Sequence, residues 1–236
     1  MTTYQNYING KFIDAADTHD VINPSTGQVL AHAPSSDIAA VNEAVAAAKA
    51  AQVHWAELPN IERAGYLTAI AAKLRDNVDR FAHYLVEEQG KVQALAEVEV
   101  SFTADYFDYM AGWARRLEGE VIPSDRPGEM IFLTYDPIGV VGGILPWNFP
   151  FFLIARKMAP ALLTGNTIVI KPSMETPINA FEFCKIVDEV GLPAGVFNMV
   201  GGSGRKIGEA LTTHPDVGLI SMTGSVDVGK RIMEQA

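Results

Sequence analysis

Cysteine is almost missing: Cys184 is the only one among 236 residues, so no internal disulfide can form and a reducing, cytoplasmic setting is expected. Positive charge is scarce as well. Lys and Arg total 18 against 28 Asp and Glu, a net charge of -10, and no basic cluster breaks the pattern. Nucleic acid and anionic membranes would each need such a cluster, so neither is expected as a partner. The five histidines, at 19, 32, 54, 83 and 214, lack ligand-like spacing, and with one thiol they offer no zinc site. The start, MTTYQNYING, has no basic segment leading into an apolar one, so no signal peptide is expected. Low-complexity and long polar tracts are also lacking, which argues against extended disorder.

One charge-free run, Ile138 to Ala155, is 18 residues long and raises the question of a membrane span. Two prolines, the pair Gly142-Gly143 and Asn148 lie within it, and would leave unpaired backbone groups in lipid. A buried strand, a turn and a buried helix use the same residues without that penalty.

Residues 7–33 alternate short apolar runs with the turn signals Asn9-Gly10 and Asn23-Pro-Ser-Thr-Gly27, which predicts two small hairpins acting as a peripheral cover. From Ser36 the pattern turns helical, with a break at Leu58-Pro59, and helices are expected to about Leu117. In the last of them Phe102, Tyr106, Tyr109, Met110 and Trp113 recur at helical spacing. That predicts a core-facing stripe, with a substrate channel wall as the sharper alternative. Residues 119–138 hold a hairpin arm that could pair with another chain.

From residue 139 the alternation is regular: strand 139–145, helix 150–163, strand 167–171, helix 177–190, strand 196–200, helix 203–212, strand 217–222, helix 225–235. Strand and helix alternating in this way imply parallel strands joined by right-handed crossovers. The strands are near-continuous apolar runs, as expected when helices cover both faces. The fold class is therefore α/β, a doubly wound, Rossmann-like parallel sheet, with an N-terminal helical region (1–118), a β-hairpin arm (119–138) and a nucleotide-binding domain (139–236).

Asn148 stands between Pro146 and Pro150, so fixed backbone angles flank its turn while its amide offers two donors. A donor aimed at a developing oxyanion would be built in this way. Lys171 ends a strand before Pro172, where it reaches ribose or phosphate, or is simply a surface lysine. The run Gly201-Gly-Ser-Gly204-Arg-Lys-Ile-Gly208 misses the strict dinucleotide fingerprint, since Ile207 stands where a glycine is needed, and a plain strand-to-helix turn explains it equally well. Ser225, in Thr223-Gly-Ser-Val-Asp-Val-Gly229, reads as an N-cap whose helix would present free N–H groups to a phosphate, or as an ordinary cap. Arg156 interrupts an apolar helix, so it should pair with a carboxylate outside that helix or face a polar ligand; the adjacent Lys157 should point elsewhere, into solvent. Cys184 shares a helical seam with Phe181, Val187 and Val190 and reads as an inert core thiol.

Taken together, Pro146-Trp-Asn-Phe-Pro150, the strand end Ile168-Val-Ile-Lys-Pro-Ser173 and Thr223 to Gly229 resemble the aldehyde dehydrogenase superfamily in order and spacing, from about Tyr7 to the last residue. The resemblance implies an NAD(P)-dependent oxidation of small aldehydes to acids, by an enzyme that assembles as a homo-oligomer. It makes Asn148 the side-chain half of an oxyanion hole and Lys171 a contact to the adenosine ribose. Ser225 would hold the pyrophosphate, Ile144, Pro146 and Trp147 would line the cofactor cleft, and Gly204 and Glu209 would lie near the adenine. Arg156 would sit in the substrate tunnel, suited to a small 2-hydroxy aldehyde.

Two departures accompany it. The acidic residue often found three places after the lysine is Met174 here, with Glu175 one place later, which leaves NAD and NADP both open. The family's general-base glutamate and nucleophilic cysteine lie beyond the last helix, so the 236 residues contain neither and are expected to be inactive alone. The alternative is a nucleotide-binding or interaction module that keeps the fold without the chemistry.

Overall fold

The structure, a computed structural model, describes residues 1–236 throughout. Five short strands come first: β1 (Thr2–Thr3), β2 (Asn6–Ile8), β3 (Lys11–Ile13), β4 (Thr18–Ile22) and β5 (Val29–Pro34). Their turns form where the sequence marks them. Asn9 and Gly10 take φ of 52° and 70°, which closes the β2–β3 hairpin, and Asn23 Oδ1 accepts from the Ser25 and Thr26 N–H groups between β4 and β5. Four helices follow, α1 (Ile38–Glu57), α2 (Asn60–Arg75), α3 (Val78–Gln89) and α4 (Gln93–Ala111). Strands β6 (Glu120–Pro123) and β7 (Met130–Leu133) then pair as an arm in which every residue is exposed.

The α/β part runs β8 (Val140–Ile144), α5 (Pro150–Leu163), β9 (Thr167–Lys171), α6 (Ile178–Val190), β10 (Phe197–Met199), α7 (Glu209–Thr212), β11 (Val217–Met222) and α8 (Val226–Gln235). The helix expected over 203–212 starts instead as a π-helical turn, Gly204–Gly208, in which Ser203 accepts from the Lys206 N–H. The wider turn brings Gly208 against the Lys171 side chain.

Six strands form the main sheet in the order β11-β8-β9-β10-β2-β3, parallel from β11 to β10 and antiparallel where β2 joins. The first hairpin is thus not a cover but the edge of this sheet, with Tyr7 opposite Met199 and both Tyr7 and Ile8 buried. Asn6 fixes it there: its Oδ1 accepts from the Gly201 N–H at 2.9 Å and its Nδ2 donates to Ser36 Oγ at 2.8 Å. On one face Val140, Val169 and Val200 pack on Val41, Ala44, Val45 and Ala48 of α1. On the other, Val141, Ile168 and Ile170 share the larger core with Phe151, Met158, Phe181 and Phe183 of α5 and α6. Both faces of β8 to β10 are covered, which is why these strands are near-continuous apolar runs.

Helix α4 turns only part of its aromatic stripe to the core: Tyr106, Met110 and Trp113 pack against it half-buried. Ala96, Glu99, Val100, Thr103, Ala104 and Phe107 are the buried set, whereas Phe102 and Tyr109 are exposed. Ala96, Val100, Thr103 and Ala104 let α4 pack closely on its neighbours, Phe107 fills the core beside them, and Phe102 and Tyr109 take the adjacent face. No helix is long and apolar enough to cross a membrane.

Candidate functional site

After β10 the chain crosses back to set β11 beside β8, so the connections at the carboxyl ends of β8 and β11 diverge and open a crevice. A cleft of about 250 Å³ lies there, lined by Ile144, Lys171, Gly204, Arg205, Gly208 and Glu209, with Val228, Arg231 and Ile232 closing it from α8. Four residues predicted to bind cofactor, Ile144, Lys171, Gly204 and Glu209, therefore meet in one place.

Lys171 is not a surface lysine. It is buried, its Nζ donates to the Pro172 carbonyl at 2.7 Å, and burial lowers its ammonium to about 8. Glu209 pairs with Arg231 at 2.6 Å. Ser225 does not line the cleft, but it caps α8 by accepting from the Val228 N–H, which leaves the first N–H groups of that helix without intrahelical partners. Gly201 has a structural explanation of its own: a Cβ there would lie 2.8 Å from the Pro34 carbonyl oxygen and from the Phe181 ring. That glycine is needed for packing against β5, a reason the sequence reading did not give.

The turn between β8 and α5 carries Pro146, Trp147 and Asn148 outside the cleft lining. Its backbone is held by the Trp147 carbonyl, which accepts from Gln89 Nε2 at 2.8 Å and from Thr176 Oγ1 at 3.2 Å. Trp147 is 57% exposed. Asn148 is exposed, and its side chain makes no hydrogen bond within the chain, so both amide donors are free.

Arg156 and Lys157 exchange the places expected of them. Arg156 is the exposed residue of the pair, and Lys157 is buried, donating to Thr223 Oγ1 at 3.0 Å and Ser221 Oγ at 3.3 Å. Burial, with the Arg156 charge beside it, lowers the Lys157 ammonium to about 8. Successive helical residues are turned by about 100°, so only one of two adjacent cations can face the sheet. The row Ile154, Lys157 and Ala161 was the signal that could have identified it, since its spacing matches the buried face of α5. Arg156 lies near Tyr106, whose phenol is raised by burial and partly brought back by the Arg156 charge. Around it Phe102, Tyr106 and Phe149 pack on the Phe152 ring at centroid distances of 4.6, 5.4 and 5.4 Å. The aromatic stripe of α4 thus forms a surface shelf beside the Asn148 turn.

Two buried carboxylates escaped the sequence reading. Glu99 accepts from the Phe151 and Phe152 N–H groups, and Glu88 from those of Ile178 and Asn179, at the first turns of α5 and α6. Cys184 is buried in α6, donates to the Ala180 carbonyl at 3.4 Å, and is pushed well above the usual thiol range by burial. Burial and the raised thiol both oppose formation of a reactive thiolate there.

Comparison with known proteins adds a frame. A family model described as the aldehyde dehydrogenase family matches residues 12–236. Lactaldehyde dehydrogenase of Escherichia coli (strain K12) is 57% identical over 232 residues, covering 98% of this chain and 48% of that protein. A crystal structure of lactaldehyde dehydrogenase from Escherichia coli superposes with a TM-score of 0.98 at 55% identity, covering 100% of this chain and 50% of the other. A structure of 3,6-anhydro-L-galactose dehydrogenase in complex with NADP gives 0.96 at 39% identity, covering 99% and 50%. The chain spans about half the length of the curated relatives it matches.

Proposed function

We propose, from the premise that this chain belongs to the aldehyde dehydrogenase family, that its 236 residues supply the NAD(P) site and one oxyanion donor for the oxidation of small 2-hydroxy aldehydes of the lactaldehyde type. The convergence of Ile144, Lys171, Gly204 and Glu209 in one cleft at the carboxyl ends of parallel strands carries this reading. The residues fit a dinucleotide: the Lys171 cation for the ribose, apolar walls from Ile144, Val228 and Ile232 for the base, and a helix N-terminus capped by Ser225 for the pyrophosphate. When bound, NAD(P) supplies the hydride acceptor.

The chain's own residues do the rest. Asn148 donates from its free amide to the oxygen that gains charge on the aldehyde, and a single such donor is worth about 10²- to 10³-fold in rate. Pro146 and Trp147 hold that amide at the cofactor edge, and the Gln89 and Thr176 bonds to the Trp147 carbonyl fix the turn. Arg156, near Tyr106 of the aromatic shelf, donates to the 2-hydroxyl group of the substrate. Support for that substrate class comes from the lactaldehyde dehydrogenase relative and from a guanidinium with no carboxylate partner beside an apolar shelf. Because the only thiol is Cys184, sealed in the core, the 236-residue polypeptide alone binds NAD(P) but turns over no aldehyde. The purified polypeptide with lactaldehyde and either dinucleotide should give a binding isotherm and no reduced cofactor. Reduced cofactor whose formation is abolished by Cys184→Ala overturns the assignment of that thiol, and absence of any binding overturns the cofactor site.

A further inference from the structure

The charge around the cleft is lopsided. Lys171, Arg205 and Arg231 line it, and Glu209 is the only carboxylate among the lining residues. Glu209 is already engaged, by Arg231 at 2.6 Å. Arg205 is exposed on the first turn of the Gly204–Gly208 segment and makes no ion pair. The stretch after β9 supplies no second carboxylate. Met174 stands three places past Lys171, its carbonyl oxygen 3.0 Å from His19 Nε2, while Glu175 is exposed and does not line the cleft.

A ribose with both hydroxyls free is best held by an acid that accepts from them, whereas a 2′-phosphate is best held by guanidinium groups. The cleft offers an unpaired guanidinium and no uncommitted carboxylate. Resting on the cofactor reading above, we propose that this site prefers NADP to NAD and that Arg205 is the residue that sets the preference. Arg231 stays tied to Glu209 and supplies background field, while Arg205 makes the charge-assisted, two-pronged contact to the phosphate.

Calorimetric titration of the 236-residue chain with NAD and NADP tests this directly. NADP should bind roughly tenfold or more tightly than NAD at low ionic strength, and the ratio should shrink as salt is added. In Arg205→Ala, and in Arg205→Gln, which keeps side-chain length, the ratio should fall to about one, mainly by loss of NADP affinity. Circular dichroism matching the parent confirms that these exposed-site variants are folded. Tighter or equal binding of NAD, or a ratio unmoved by both variants, overturns the proposal while leaving the cofactor site intact. Binding of neither dinucleotide by the folded chain overturns the cofactor reading itself.

Discussion

Helices α5 and α6 begin with their N-termini closed from within the protein, whereas α8 begins with its N-terminus open. At α5 the carboxylate of Glu99, fully buried, accepts from the N–H groups of Phe151 at 2.9 Å and Phe152 at 3.1 Å and is paired with Lys91. At α6 Glu88 accepts from Ile178 N–H at 2.6 Å, Asn179 N–H at 2.9 Å and Asn179 Nδ2 at 2.6 Å. The far end of α5 is matched too, since the guanidinium of buried Arg63 donates to the Leu163 carbonyl at 3.0 Å. Helix α8 has no buried carboxylate at its start, only the hydroxyl of its own Ser225 and the solvent-exposed Asp227 of its first turn. The same partial positive charge exists at all three starts. Where a helix is structural, the chain fills it with its own anion; where a dinucleotide would lie, the position is left free. Closed and open ends therefore separate scaffold from candidate site in terms that mutation can test.

The largest effect is expected at the closed end of α5. Glu99→Ala leaves two buried N–H groups without an acceptor and Lys91, mostly buried, without its counter-charge. Removing one partner from a buried, hydrogen-bonded pair costs about 3–5 kcal/mol. Urea unfolding should show a lower midpoint at constant slope. A loss below about 1 kcal/mol would mean that the Glu99 contacts are incidental and the contrast with α8 is empty.

At α6 the closure depends on pH. Burial, opposed by the bonds from Asn179 and Ile178 and reinforced by the charge on Glu99, raises Glu88 to about 7. The folded pKa is above the unfolded one, so the folded chain binds the extra proton between about pH 4.5 and about 7. Stability from this group is therefore fully present below that window and is lost as the pH rises through it, by about 3 kcal/mol. Glu182, held low by Lys185, Arg80 and Tyr4 against its own burial, moves the opposite way, so the parent profile alone is ambiguous. The difference profile between parent and Glu88→Gln isolates the term: it should slope across the window and flatten above about pH 8. A difference that stays flat from about pH 4 to about pH 8 would remove pH from the account of this end.

How much of this was legible follows from the range of each interaction. Strand–helix alternation, the Leu58-Pro59 break and the hairpin turns at Asn9 and Asn23 are local, and the chain forms them where residues a few places apart require. The Pro146–Asn148–Pro150 turn was readable for the same reason. The two closing glutamates were not: Glu99 acts 52 residues before Phe151 and Glu88 acts 90 residues before Ile178, and no local pattern joins them. The β2 strand reaches the sheet through Asn6 and Gly201, 195 residues apart. Arg156 and Lys157 failed differently, because a helical spacing was available and the apolar run as a whole was weighed instead of its rows. On α4 the bulk of Phe102 and Tyr109 suggested burial, yet the buried face is the row of Ala96, Val100, Thr103, Ala104 and Phe107 beside them. In the cleft, Lys171, Gly204 and Glu209 were legible only as separate motifs at strand and helix ends; the topology that sets β11 beside β8 is what gathers them.

The smallest stability effect, and the sharpest test of the contrast, comes from closing the open end. Ser225→Asp keeps a capping oxygen on the Val228 N–H and adds a charge favoured at a helix start, so it should change the stability of the unliganded chain by less than about 1 kcal/mol, in the stabilising direction. It also places a fixed anion where the pyrophosphate would sit. The local positive potential that α5 and α6 spend on glutamates would then be consumed at α8 as well, and like charges would oppose binding. Dinucleotide affinity should fall by roughly tenfold or more, with NAD and NADP affected alike because the 2′ position is remote from the change. Calorimetry on the variant distinguishes this from the Arg205 effect, which alters the ratio between the two cofactors. Unchanged affinity for both would show that the open end of α8 is an ordinary capped helix and that the anion is held elsewhere.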